Sequence, residues 1–159
     1  MTFRVGDRIA HPMHGAGVID QIETQKHGSE ELQYYVLRLP VGDMRVLIPV
    51  DSCEAIGVRP IIASEEAEHI LNAIPEMEVS MTQNWNRRYR ENMLRIKSGN
   101  LLEVAAVVKG LMAREHERGL STGERKMLHS AKQILISEFV MSMSGEYEEI
   151  ERRLDLAMA

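Results

Sequence analysis

The segment Thr82 to Lys97 reads TQNWNRRYRENMLRIK and sets the single tryptophan of the chain, Trp85, beside Arg87, Arg88 and Arg90. These residue types suit nucleic acid. Guanidinium groups hold phosphates, and a flat ring stacks on bases or wedges between them. On a helix at about 100° per residue, Trp85, Tyr89, Met93 and Ile96 share one stripe, with Arg88 about 60° round from Trp85. Two readings stay open: Trp85 is the first core residue of that helix, or it stands exposed among Gln83, Asn84, Asn86 and Arg87. A helix start also offers free N–H groups and a positive dipole end to a phosphate. Arg125 and Lys126 form a second basic group, with Arg114 and Arg118 just upstream reading as ordinary surface charges.

Other reactive residues do not assemble into a catalytic pattern. Of the six histidines, His11 and His14 are close in sequence, but no cysteine pair or carboxylate stands beside them at metal-ligand spacing. Cys53 is a lone cysteine without a local nucleophile signature and reads as a buried thiol. Neither GxxxxGK[ST] nor GxGxxG occurs. His14-Gly15-Ala16-Gly17 is better explained by a bend between two strands than by phosphate binding. The expectation is therefore a protein that is not an enzyme, with no cofactor, no metal and no small-molecule substrate.

Charge is segregated along the 159 residues. Residues 1–84 carry a net charge of −7, residues 85–132 carry +6 and residues 133–159 carry −4, for a total of −5. A local basic block matters for phosphate binding, whatever the total. No run of about 20 apolar residues is present, so no membrane partner is expected. The opening MTFRVGDRIAHP lacks the apolar stretch of a secretory signal, and one cysteine cannot form an intrachain disulfide. Both features favour a cytoplasmic setting.

These residues need elements to hold them. Residues 1–60 read as short strands between the turn signals Val5-Gly6-Asp7, His14-Gly15, His27-Gly28-Ser29, Val41-Gly42-Asp43 and Ile56-Gly57. Gly17 to Glu23, Leu32 to Leu39 and Met44 to Ile48 carry the β-rich runs, the last two joined as a hairpin, and Pro49 marks an edge. A sheet this small must curl to bury one face, which points to a strongly bent barrel. Residues 61–159 read as a compact all-α bundle with a connector near 75–82. Ser64, Asn100 and Ser121 are expected helix caps, with Glu103 and Glu124 at capping-box positions. Ser98-Gly99, Gly119 and Ser144-Gly145 are the expected stops, and the last helix is expected over 146–156. The fold class is thus α+β.

In this order, FRVGDRIAHPMHGAGVI, YYVLRLPVGDMRVLIPV, GVRPII, NWNRRYREN and RGLSTGERKML resemble the CarD/CdnL family of bacterial transcription regulators, over nearly the whole chain. The N-terminal part also resembles the polymerase-interacting module of the transcription-repair coupling factor, but that large ATPase lacks the helical bundle. The resemblance implies a Tudor-like, SH3-like barrel that docks on the β subunit of bacterial RNA polymerase. It implies a helical domain facing promoter DNA at the upstream edge of the transcription bubble. The residue matching Trp85 inserts at the minor groove there, and residues matching Arg87, Arg88, Arg90 and Arg125, with Lys126 beside them, hold the backbone. The polymerase contact falls on Arg45, Val46, Leu47 and Pro49. Some members carry a basic residue where Leu47 stands, so a more apolar contact is expected in this chain. Two rival readings remain: a protein–protein adaptor without DNA contact, and an architectural DNA-binding protein independent of polymerase.

Overall fold

The computed structural model describes residues 2–159. Five antiparallel strands come first: β1 (Arg8–His11), β2 (Gly15–His27), β3 (Glu30–Leu39), β4 (Met44–Pro49) and β5 (Arg59–Pro60). Their spatial order is β4-β3-β2-β1-β5, which leaves β4 and β5 as the two edges. A 3-10 turn (Val50–Ser52) and the one-turn helix α1 (Cys53–Ile56) lead from one edge toward the other. Cys53 and Val58 from this crossing join Phe3, Ile9, Ile19, Tyr35, Leu37, Leu39 and Ile48 in one apolar core. The result is a small, Tudor-like β module. Cys53 is buried, and that burial pushes its thiol pKa up, as suits an inert core residue.

β2 and β3 are longer than the short strands expected, with 13 and 10 residues. The register steps from Ile19↔Leu37 to Gln21↔Val36, so Asp20 is an extra residue in a bulge. That step explains why alternation in Gly17 to Glu23 is only partial in the sequence: a bulge shifts the period by one.

The helices follow: α2 (Ser64–Ala73), a 3-10 turn (Ile74–Glu76), α3 (Trp85–Lys97), α4 (Leu101–Arg118), α5 (Thr122–Met143) and α6 (Tyr147–Met158). A second core, including Ile70, Ile96, Val108, Leu111, Leu135 and Phe139, lies among them. Full burial of each such side chain contributes about 1.5–3 kcal/mol. Two expected caps hold: the Asn100 side chain accepts from Leu102 N, and Ser121 accepts from Glu124 N. Ser64 instead is the first helical residue, with Ala63 before it and no side-chain cap. Glu103 closes no capping box; it turns to Arg95 at 3.6 Å, and Asn100 N donates to Ser98 Oγ. Lys109 Nζ covers the carbonyls of Ile74, Pro75 and Met77 at 2.7, 3.2 and 2.9 Å, closing the exit of the α2 segment.

The β module rests on the C-terminal half of α5. Ala16 N donates to Ser137 Oγ at 2.9 Å, and the same oxygen donates to Ile134 O. Arg8 donates to Met141 O, and Ser142 Oγ donates to Ile62 O at 2.9 Å. Gly15 is what lets the sheet come so close to α5, since a Cβ there would meet Ser137 Oγ at 2.3 Å; one on Gly17 would meet Arg38 O of the neighbouring β3 at 2.4 Å, within the sheet. Gly15 also has φ +94, where an L side chain is strained. Gly15→Ala is accordingly expected to destabilise the protein by at least about 1–2 kcal/mol from the backbone strain alone, read as a lowered Tm in thermal unfolding.

Candidate nucleic-acid interface and docking edge

Trp85 opens α3, where the Asn84 side chain accepts from Arg87 N at 3.0 Å and holds the first turn. The indole lies flat on Tyr89, with ring centroids 5.1 Å apart and planes 17° from parallel. Its Nε1 donates to Ser121 Oγ at 3.0 Å, and Gly123 lies against both rings. The starts of α3 and α5 therefore converge at this ring, and with them two positive dipole ends. Trp85 as a residue is 42% exposed. Of the two readings left open by the sequence, the core one is excluded: Trp85 is held by Tyr89 and Ser121 and remains partly open to solvent.

A buried ion pair sits beneath it. Arg88 and Glu124 are each 2% exposed. Arg88 Nε and NH2 donate to the two carboxylate oxygens at 2.8 and 3.2 Å, and NH1 donates to Thr82 O and Gln83 O at 3.2 and 2.9 Å. Glu124 N and Trp85 Nε1 share Ser121 Oγ, which lies 3.4 Å from Glu124 Oε1. The contacts Trp85–Ser121–Glu124–Arg88–Gln83 tie the start of α3 to the start of α5. Arg88 is thereby withdrawn from the expected DNA-contact set: its donors are spent inside the fold, and reaching a phosphate would strand a buried carboxylate. The sequence missed this because hydrophobic periodicity cannot see a polar core line. The buried side of α3 runs through Arg88, Asn92 and Ile96, so the two polar residues each stand one position before Tyr89 and Met93 of the apolar stripe, which are only half-buried. The one available signal was Glu124 three residues after Ser121, which resembled a helix cap rather than a partner for Arg88.

The remaining basic residues are exposed. Arg90 and Lys126 form no ion pair among the described residues. Arg87 Nε donates to Glu91 at 3.0 Å, and Thr82 Oγ1 donates to the other Glu91 oxygen at 2.8 Å. Arg125 NH1 donates to Leu120 O at 2.9 Å. Arg90 and Lys126 are thus unengaged cations, whereas Arg87 and Arg125 are partly committed.

In the sheet, β4 pairs with β3 from Tyr34↔Pro49 to Leu39↔Met44 and leaves its outer side unpaired. Of the four residues expected to dock, Val46 turns toward the β core and is partly buried, as strand alternation requires. Leu47 is 44% exposed. Arg45 NH2 lies 3.3 Å from the bulged Asp20 carboxylate, which also faces Arg38 at 3.8 Å.

The His11 and His14 rings lie side by side, centroids 4.6 Å apart and tilted 54° to each other. Burial first, and the neighbouring His14 second, push the His11 pKa down to about 4, so its ring is neutral at neutral pH. Among the described residues no three His, Cys, Asp or Glu side chains converge to hold a metal, and no helix is long and apolar enough to cross a membrane.

An edge-bearing Tudor-like module joined to a helical bundle with an aromatic at a basic surface defines a two-part interaction protein. Residues 3–62 match the family of CarD-like/TRCF RID domains, and residues 69–155 match the CarD C-terminal domain. The chain is also 38% identical over 136 residues to "Putative transcription factor YdeB" of Bacillus subtilis (strain 168), covering 86% of this chain and 89% of that one. The chain belongs to the CarD family, a family of transcription factors.

Removing one partner of a buried ion pair costs about 3–5 kcal/mol. Arg88→Ala is therefore expected to lower Tm by on the order of 10 °C. The Arg88 hydrogen bond, against the opposing push of burial, holds the Glu124 pKa below the usual carboxylate range. Its contribution to stability is fully present above the unfolded-state pKa and is lost as pH falls through the lower folded-state value. Unfolding followed from neutral to acid pH should show this loss in the native protein and a reduced loss in Glu124→Gln.

Proposed function

We propose that the protein is a non-enzymatic transcription regulator that binds RNA polymerase through residues 1–60 and promoter DNA through residues 61–159. The β4 edge docks on the polymerase β subunit. The α3–α5 surface faces the upstream edge of the transcription bubble, and Trp85 props the melted junction open.

The observation that carries this reading is the half-exposed indole of Trp85, held on Tyr89 and Ser121 at two converging helix starts. Exposing so large an apolar ring is unfavourable in water, and a bound base or sugar removes that cost. Arg87, Arg90, Arg125 and Lys126 supply phosphate contacts around it, and these position the protein without reading sequence. Arg87 reaches a phosphate by trading Glu91 for it. A wedge costs a few kcal/mol of unstacking when it must open duplex DNA itself. Polymerase has already melted the junction, so the ring has only to favour the open state over the closed one. The β4 edge suits the docking role because an unpaired strand with outward Arg45, Leu47 and Pro49 can pair with a partner's strand and bury Leu47. The acidic N-terminal half is a poor surface for DNA, which favours a protein partner there.

Loss of a base–aromatic stack costs about 1–3 kcal/mol. Trp85→Ala is expected to shorten the open-complex lifetime on the order of tenfold while β-subunit affinity stays unchanged, measured by competitor-challenge decay and by pull-down. Equal lifetimes for folded mutant and wild type would sink the wedge. Leu47→Glu, in contrast, is expected to weaken β-subunit binding by about tenfold or more, since a buried unpaired charge replaces an apolar contact. Undiminished binding would place the docking surface elsewhere.

A further inference from the structure

We infer that α5 is a rigid strut between the two working surfaces, and that the Arg59–Glu138 pair is the joint fixing the β module to it. This rests on the function proposed above and adds positioning residues that touch neither polymerase nor DNA.

Arg59 leaves β5 as a fork. NH1 and NH2 donate to the two Glu138 oxygens at 2.6 and 2.9 Å. Nε and NH2 also donate to Gly99 O at 3.3 and 3.0 Å, and NH1 to Pro60 O at 3.1 Å. Glu138 in turn accepts from Ile62 N at 2.9 Å, and its side chain is 2% exposed. One guanidinium thus ties together the last strand of the sheet, the C-terminal half of α5 and the turn between α3 and α4. A bidentate Arg–carboxylate pair is planar and fixes direction as well as distance, unlike a point-charge contact.

Neighbouring contacts repeat the fastening along the same stretch of α5, at Ser137, Met141 and Ser142. The other end of that helix carries Ser121 and Glu124, which hold Trp85 and Arg88. Fourteen residues separate Glu124 from Glu138, about 21 Å of helix at 1.5 Å per residue. The offset between the docking edge and Trp85 is therefore set by an unbroken helix, not by the connector near 75–82. The physical value of such a strut is preorganisation. Two weak sites on one rigid body engage together with a high effective concentration, and that gain vanishes when their geometry is loosened.

The test uses the full chain with Arg59→Lys and, separately, Glu138→Gln, which keeps the shape of the side chain and an acceptor for Ile62 N. Circular dichroism confirms that each variant is folded. Spin labels at Lys26→Cys and Arg118→Cys, in a Cys53→Ala background, report the spacing between sheet and bundle. The wild-type spacing is expected to be narrow and the variants' to broaden. β-subunit affinity should stay within about twofold of wild type, while open-complex lifetime falls by about tenfold. A variant that broadens the spacing yet keeps the wild-type lifetime overturns the strut, as does one that loses lifetime with its spacing still narrow. If the wild-type chain fails to extend open-complex lifetime, or Trp85→Ala matches it, the function proposed above fails. The spacing measurement then still decides whether Arg59 and Glu138 form the joint.

Discussion

One buried ion pair in the helical half, Arg88 with Glu124, governs much of the site. Arg88 and Glu124 are removed from water almost completely. An unpaired charge at that depth would be far more costly than any other local arrangement, so the start of α3 must lie against the start of α5. Once those two helix ends meet, Ser121 is within reach of the Trp85 ring and Tyr89 lies beneath it. The indole is left with no core to enter. Its exposure is a consequence of where the ion pair must be.

The same arrangement separates structural cations from available ones. Arg88 belongs to the fold, Arg87 and Arg125 are half-engaged, and Arg90 and Lys126 are open. A cation already satisfied inside the protein gains little from a phosphate, because it exchanges one charge-assisted contact for another. Glu91 has a further effect: it stands where the Arg87 guanidinium would otherwise turn outward, and the Thr82 hydroxyl holds it there. The surface is therefore less basic than its count of arginines suggests.

Polar contacts of specific direction join the sheet and the bundle. Gly15 admits the Ser137 side chain, Ala16 N bonds to its hydroxyl, and Arg59 grips Glu138. Contacts of this kind lose their strength with small changes in angle, so they define an orientation as well as an attachment. The long helix α5 then carries that orientation to the Trp85 end.

Much of this was legible along the chain. Turn residues and β-rich runs marked the sheet, helical spacing and stop signals marked five of the helices, and charge segregation located the basic block around Trp85. Ordered segments resembling the CarD family pointed to the family itself. Local order carries such information because turn chemistry, periodicity and charge are properties of neighbours in sequence. What it could not carry was the fate of individual polar side chains. Arg88 and Arg90 are alike on paper, yet one is buried and the other open, since only packing brings Glu124, 36 residues away, to one of them. Ser121 beside Trp85, Glu138 beside Arg59 and Val46 turned inward are likewise decided by long-range packing, where desolvation forces each buried charge and donor to find a distant partner. The two-part architecture was already present in the order of residues; which arginines remain free to meet a phosphate was settled by the core.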